Sequence, residues 1–174
     1  MHGYALQEAG EEDLPSLAHI ERSVAGLFPP GSIPDHIRSD ALPMHLLREG
    51  LVAGTLWVVR SDSGTIAGYA LLRIIENIAL LAQIDVLPEY GRKGLGTALT
   101  LHAADAAAER EHSSLYLTTF RNIPWNAPFY SKLGFVPLTP SEAPPVMRNI
   151  LSEELAAGLE DRVIMRRSLA TSTG

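Results

Sequence analysis

The chain has no cysteine among its 174 residues. That excludes disulfides, zinc–thiolate sites and a cysteine acyl-enzyme together. No apolar run approaches the roughly eighteen residues of a membrane span, and the opening Met1-His2-Gly3-Tyr4 lacks the charged and apolar regions of a signal peptide. Basic residues are in deficit: 14 Lys and Arg against 20 Asp and Glu leave a net charge of −6. A general nucleic-acid binder needs a basic face instead. Aromatics are sparse at 6%, while the 46% apolar and 20% charged content is ordinary for a globular protein. The length suits one domain with a real core. The expectation is a cytoplasmic protein with neither nucleic acid nor membrane as partner.

What is present alternates strands and helices. Tyr4–Glu8 reads as a first strand. Glu11-Glu12-Asp13 places negative charge where a helix begins, and Leu14, Leu17, Ala18, Ile20 and Val24 recur at helical spacing. Breakers fill residues 28–34, and a second helical piece falls within 35–49, interrupted by Pro43. Residues 56–59 form a strand, 62–65 a hairpin turn and 66–75 its partner, followed by a strand ending at Val86. Residues 95–111 are helical and alanine-rich, residues 115–119 form a strand, and strand–helix–strand predicts a right-handed parallel unit. Asn126 suits an N-cap and Gly134 a helix stop, giving a short helix over 127–133. A strand begins at 135, a helix spans 146–157 and a strand closes at 162–166. Residues 170–174 read as a frayed tail.

The richest stretch is Val86-Leu87-Pro88-Glu89-Tyr90-Gly91-Arg92-Lys93-Gly94-Leu95-Gly96-Thr97. An apolar strand breaks at a proline, a basic glycine-spaced turn follows, and a helix begins. The first amides of a helix lack internal partners and point outward, and the helix dipole favours negative charge there. Glycines at 91, 94 and 96 let backbone approach a bulky phosphate. A pyrophosphate suits this loop best. Its spacing is not that of a dinucleotide fingerprint, which puts its close glycine pair first, nor of a Walker loop, which needs Gly-Lys-Ser/Thr.

With Asn126-Ala127-Pro128-Phe129-Tyr130-Ser131-Lys132-Leu133-Gly134-Phe135 downstream, the loop resembles the acetyl-CoA motif of the GNAT superfamily of N-acetyltransferases. The resemblance covers residues 78–136. That family's loop reads Arg/Gln-x-x-Gly-x-Gly/Ala and its second motif ends Phe-Tyr-x-Lys-Leu-Gly-Phe. Here Gly91 stands where Arg or Gln is usual, with Arg92 displaced by one. The resemblance implies an α/β fold with a twisted mixed sheet of six to seven strands, splayed in the middle, with helices on both faces. One such domain would span residues 1–169. It also implies acetyl-CoA as cosubstrate, no metal, and a monomer or homodimer. The cofactor would lie on Ile84, Val86, Gly91, Arg92, Lys93, Gly94, Leu95, Gly96, Thr97 and Asn126, with Asn122 a rival for the last role. Ile84 and Val86 would serve through backbone, as a substituted strand pairs with an edge.

The implied reaction is direct attack of a primary amine, on a small molecule or peptide, upon the thioester. A phenol near pKa 10 is a protonated donor at neutral pH, and the resemblance gives Tyr130 the role of acid toward the departing thiolate. An alkylamine is only about one part in a thousand neutral at pH 7, so its proton needs a route away. Relatives carry a glutamate four or six residues before Val86, where this chain has Ala82 and Leu80. Glu21 on the first helix is the leading candidate base, ahead of His36 and His45. Regular alternation turns Asp85 to the opposite face from Ile84. Phe28, Trp57, Trp125 and Phe129 are candidates to line an acceptor pocket, and Arg121 and Arg148 to hold an acidic group. The alternatives are acetylation of a protein N-terminus or lysine, and a non-catalytic acyl-CoA-binding module.

Overall fold

The computed structural model describes residues 2–170; of the expected tail, residues 171–174 lie outside the described residues. The chain forms two compact units: Met1–Arg73 with Leu81–Ala103, and Ile74–Leu80 with Ala104–Gly174. Its strands make a seven-stranded sheet in the order β1-β2-β3-β4-β5-β7-β6, at the upper end of the expected count.

In the first unit, β1 (Tyr4–Glu8), β2 (Leu56–Ser61) and β3 (Ile66–Ile75) run antiparallel, with Leu6 opposite Val59 and Val58 opposite Tyr69. Period-two alternation gives β2 two working faces. Leu56 and Val58 join a buried cluster with Leu14, Leu17 and Ile20 of α1 (Leu14–Ala25) and Leu47 of α3 (Met44–Ala53). Between them Trp57 turns the other way and meets His102 of α4 (Leu95–Glu109) edge to face, at 4.9 Å and 85°. Helices therefore cover both faces of these strands.

Two local readings change. The acidic Glu11–Asp13 segment is a 3-10 turn, and the α-helix begins at Leu14. Asp13 is drawn inward instead, accepting from the Gly10 amide at 2.9 Å and from Arg60 at 2.5 Å. The expected 35–49 helix is two helices, α2 (Asp35–Arg38) and α3, because Pro43 has extended backbone immediately before Met44 and its ring cannot continue a helix.

The second unit holds the start of β4 (Ile78–Val86), then β5 (Ser114–Phe120), α5 (Ala127–Lys132), β6 (Val136–Leu138), α6 (Pro145–Ala156) and β7 (Arg162–Ser168). β4 and β5 pair in parallel at Ala79↔Leu115 and Leu80↔Tyr116, the direction expected for a strand–helix–strand unit. β7 lies antiparallel to both β5 and β6, so the sheet is mixed. Glu154 of α6 accepts from Thr118 Oγ1 at 2.5 Å and from Arg162 Nε at 3.0 Å, while the Arg162 guanidinium lies 4.6 Å from the Phe120 ring centroid. This network ties α6 to β5 and β7.

Candidate active site

In the first unit β4 ends at Val86, Leu87 plugs the core, and Pro88–Tyr90 form a 3-10 turn. Gly91 is extended at φ −62° and ψ 158°, Arg92 turns left-handed at φ 61°, and Gly94 does so again at φ 78°. Gly94 also gives its carbonyl to the Ala98 amide at 3.0 Å. The amides of Leu95, Gly96 and Thr97 thus precede the first bond of α4's ladder and are available to an anion. A Cβ on Gly94 would meet no atom within 4 Å. Its glycine is required by the left-handed backbone, and open space lies where a ligand would approach. The sequence-predicted residues from Gly91 to Thr97 are therefore gathered in one anion-ready turn, with Ile84 and Val86 on the strand leading into it.

Three groups of the first unit carry perturbed ionisation. Glu21 of α1 accepts from the Leu42 amide at 2.7 Å and from the Tyr69 hydroxyl at 3.4 Å. Burial raises its pKa, opposed by those two hydrogen bonds and by Arg22, and reinforced by Asp40. Asp85 of β4 is buried, accepts from Gln83 Nε2 at 2.7 Å, and is pushed up to about 8, chiefly by burial and further by the charge of Glu21. The Tyr69 hydroxyl lies well above the usual phenol range, through burial and then the charges of Asp85 and Glu21. It stays protonated and donates to Glu21.

Asp85 and Tyr69 are the residues that sequence reasoning undervalued. Burial along β4 does not alternate cleanly: Ala79, Leu80 and Leu81 are buried in succession and Asp85 again. Around Asp85 itself the alternation holds, with Ile84 and Val86 half-buried on either side; what alternation does not tell is that the face Asp85 takes is closed over. A signal existed, since a carboxylate inside an otherwise uncharged strand of nine residues is costly without a purpose. Tyr69 offered none.

In the second unit Tyr130 is buried on α5, its ring edge to face with Phe129 at 5.1 Å and with Phe135 at 5.6 Å. Asn126 holds the N-cap position without capping through its side chain. Its Nδ2 donates to the Trp125 carbonyl at 3.1 Å, and its Oδ1 is buried with no partner among the described residues. Its backbone stands at φ −112° and ψ −115°. Asn122 is engaged by Asp161 at 2.8 Å.

Other candidates have structural employment. Trp57 is core, Arg148 Nη1 donates to the Ala143 carbonyl at 2.6 Å, and Arg121 lies 4.0 Å from Asp161. His36 and His45 are exposed on α2 and α3, Trp125 is exposed, and Phe28 and Phe129 are half-buried. Among the described residues no three His, Asp or Glu side chains gather as a metal ion would require.

Known proteins resemble this chain in sequence and in fold. The chain is 30% identical over 105 residues to the [ribosomal protein bS18]-alanine N-acetyltransferase of Escherichia coli K12, an alignment covering 60% of this chain and 66% of that protein. The match thus spans just under two thirds of the curated relative. The solved structure of the E. coli enzyme covers 98% of both chains at a TM-score of 0.66 and 23% identity. A PaiA N-acetyltransferase from Thermoplasma acidophilum, solved with coenzyme A, covers 95% of this chain and 98% of its own at a TM-score of 0.68 and 21% identity. These likenesses establish the fold. The acetyltransferase (GNAT) family model matches residues 26–135, a span that contains both the anion-ready turn and the helix of Tyr130. The chain belongs to the GNAT family of acetyltransferases.

Proposed function

We propose that this protein transfers the acetyl group of acetyl-CoA to a primary amine of a small molecule or peptide. The observation that carries the reading is the turn from Gly91 to Thr97, whose left-handed Arg92 and Gly94 open the first amides of α4, in a chain of this family. Those amides take the pyrophosphate, and the backbone of Ile84 and Val86 takes the pantetheine arm. Asn126, with its buried and unpartnered Oδ1, receives a cofactor N–H. We read residues 1–169 as one acetyltransferase domain; the family match runs through residues of both compact units.

The neutral amine attacks the thioester carbonyl carbon, the tetrahedral intermediate collapses, and the C–S bond breaks. Tyr130 gives its proton to the departing thiolate. The amine proton leaves toward Glu21, with Asp85 as its electrostatic partner. The charge of Glu21 raises Asp85 beyond the effect of burial, and Tyr69 stays protonated and donates to Glu21. With Asp85 pushed up to about 8 and Glu21 raised by burial, both are stronger bases than an exposed carboxylate.

A protein N-terminus as acceptor is the second reading, favoured by the 30% identity to an enzyme named as a [ribosomal protein bS18]-alanine N-acetyltransferase. We read the enzyme as cytoplasmic and as a monomer or homodimer; among the described residues no helix is long and apolar enough to cross a membrane. The test is an acceptor screen reading free-thiol release, with amino acids, polyamines and peptides carrying N-terminal alanine. Thiol release with small amines alone supports the first reading, and with peptides alone the second. Coenzyme A binding without thiol release above hydrolysis would leave an acyl-CoA-binding module in place of an enzyme.

A further inference from the structure

Lys93 lies in the middle of the phosphate turn, yet its ammonium is already engaged elsewhere. Nζ donates to the Tyr4 hydroxyl at 3.1 Å, a contact between residues 89 apart in sequence. It lies 5.7 Å from the centroid of the Tyr4 ring and 5.3 Å from that of Tyr90. The two rings meet edge to face at 6.1 Å and 88°, and Tyr90 packs against the buried cluster beneath. An ammonium satisfied by a phenol and two ring faces is held by all three. Arg92, beside it, is exposed and left-handed, with no hydrogen bond or ion pair among the described residues. The two adjacent cations thus differ: one is bound to the protein, the other is available.

We propose that Lys93 is a positioning residue, a strut fastening the turn to the start of β1 through Tyr4 and Tyr90, and that Arg92 supplies the side-chain charge to the pyrophosphate. The inference rests on reading residues 91–97 as the pyrophosphate loop. A turn with left-handed residues at 92 and 94 loses conformational freedom when it closes on a ligand. Fastening its centre to a strand spends that entropy at folding, before the cofactor arrives, which is how preorganisation raises affinity. The first strand thereby acquires a part in cofactor binding although it touches no phosphate.

The test measures binding of coenzyme A and of dephospho-coenzyme A to the full chain at two ionic strengths. The variants are Lys93→Met, Tyr4→Leu, Tyr4→Phe, the Lys93→Met/Tyr4→Leu pair, Arg92→Ala and Gly94→Val. Lys93→Met and Tyr4→Leu should each weaken coenzyme A by about threefold or more, as an exposed cation–π contact predicts. The double variant should be no weaker than the worse single, because one strut has been cut twice. In turnover the effect should fall on KM for acetyl-CoA, with kcat moving less. Lys93→Met should keep both the salt dependence and the preference for coenzyme A over its dephospho form, and Arg92→Ala should flatten the salt dependence. Tyr4→Phe keeps both rings, so a smaller loss in the same direction is expected without risk to β1. If Lys93→Met flattens the salt dependence, or weakens binding while both Tyr4 variants leave it unchanged, Lys93 touches phosphate and the strut is overturned. An Arg92→Ala variant with unaltered affinity overturns the other half. If Gly94→Val leaves binding intact, the loop reading fails and takes the strut with it.

Discussion

At the scale of single residues, the chemistry assigned to Tyr130 and to the Glu21–Asp85 pair makes separable demands. Tyr130→Phe keeps the ring that packs on Phe129 and Phe135 and removes the proton. Steady-state kinetics should show kcat lower by about a hundredfold or more, the usual range for a general acid, with KM for acetyl-CoA little changed. Unchanged turnover would take Tyr130 out of the acid role. The carboxylates should appear in the pH profile. Asp85 is pushed up to about 8, so kcat/KM for the acceptor should climb as pH rises through that value. Asp85→Asn should remove the inflection near that value and leave the rise due to the amine itself. Glu21→Gln should lower kcat/KM, since it removes the proposed proton acceptor, and should move the inflection to lower pH, because the charge of Glu21 is one cause of Asp85's raised pKa. A profile that ignores both substitutions would leave proton removal to water. The sequence singles out Glu21 as a candidate because it lies on a helix beside the expected acceptor side. It sets Asp85 opposite Ile84, in keeping with its burial between half-buried Ile84 and Val86, but spacing alone does not show that this face is closed over.

At the scale of elements, β4 and the phosphate turn depend on close backbone approach. A Cβ on Gly68 of β3 would come within 2.6 Å of the Asp85 carbonyl oxygen and 3.2 Å of the Val86 Cα. Gly68→Val should therefore displace the end of β4, which leads into the turn. Calorimetry should show coenzyme A binding weakened, and chemical denaturation a loss of about 1–3 kcal/mol, the usual cost of overpacking. Full affinity in a folded Gly68→Val protein would contradict the backbone role of Ile84 and Val86. The entry into α1 rests on Asp13, 4% exposed in its side chain and paired with Arg60. Asp13→Ala removes its bonds from Arg60 and from the Gly10 amide, a loss of about 1–3 kcal/mol, so the urea midpoint should fall clearly. An exposed helix-start acid would cost far less. The sequence placed negative charge correctly at this helix start. It could not show that the third acid turns inward, because Arg60 is 47 residues away.

At the scale of the whole molecule, the buried acids make stability depend on pH in an uncommon direction. The folded-state value of Asp85 lies above its ordinary 3.8, at about 8, so the folded chain holds a proton that the unfolded chain has released. Its contribution is greatest below about 4 and declines as pH rises toward 8. Glu21, also raised, adds in the same direction. Urea midpoints across that window should fall less steeply in Asp85→Asn than in the wild type, and parallel curves would show that Asp85 ionises normally. Coenzyme A at a hundred times its dissociation constant should stabilise the fold by about 2.7 kcal/mol, measurable as a raised unfolding midpoint. No shift would mean no site.

The sequence by itself determined the family and the glycine-spaced turn that opens α4. Glycine spacing, a strand-ending proline and a helix start are local features, and local backbone chemistry is enough to build an anion-ready turn. It determined the helix of Tyr130 for the same reason. Only the tertiary structure decided which basic side chain of the turn is already taken, since Tyr4 and Lys93 meet across 89 residues. It alone decided that Glu21 acts on Asp85 and that both act on Tyr69. Burial and through-space charge belong to the assembled strands and helices, and no spacing along the chain encodes them.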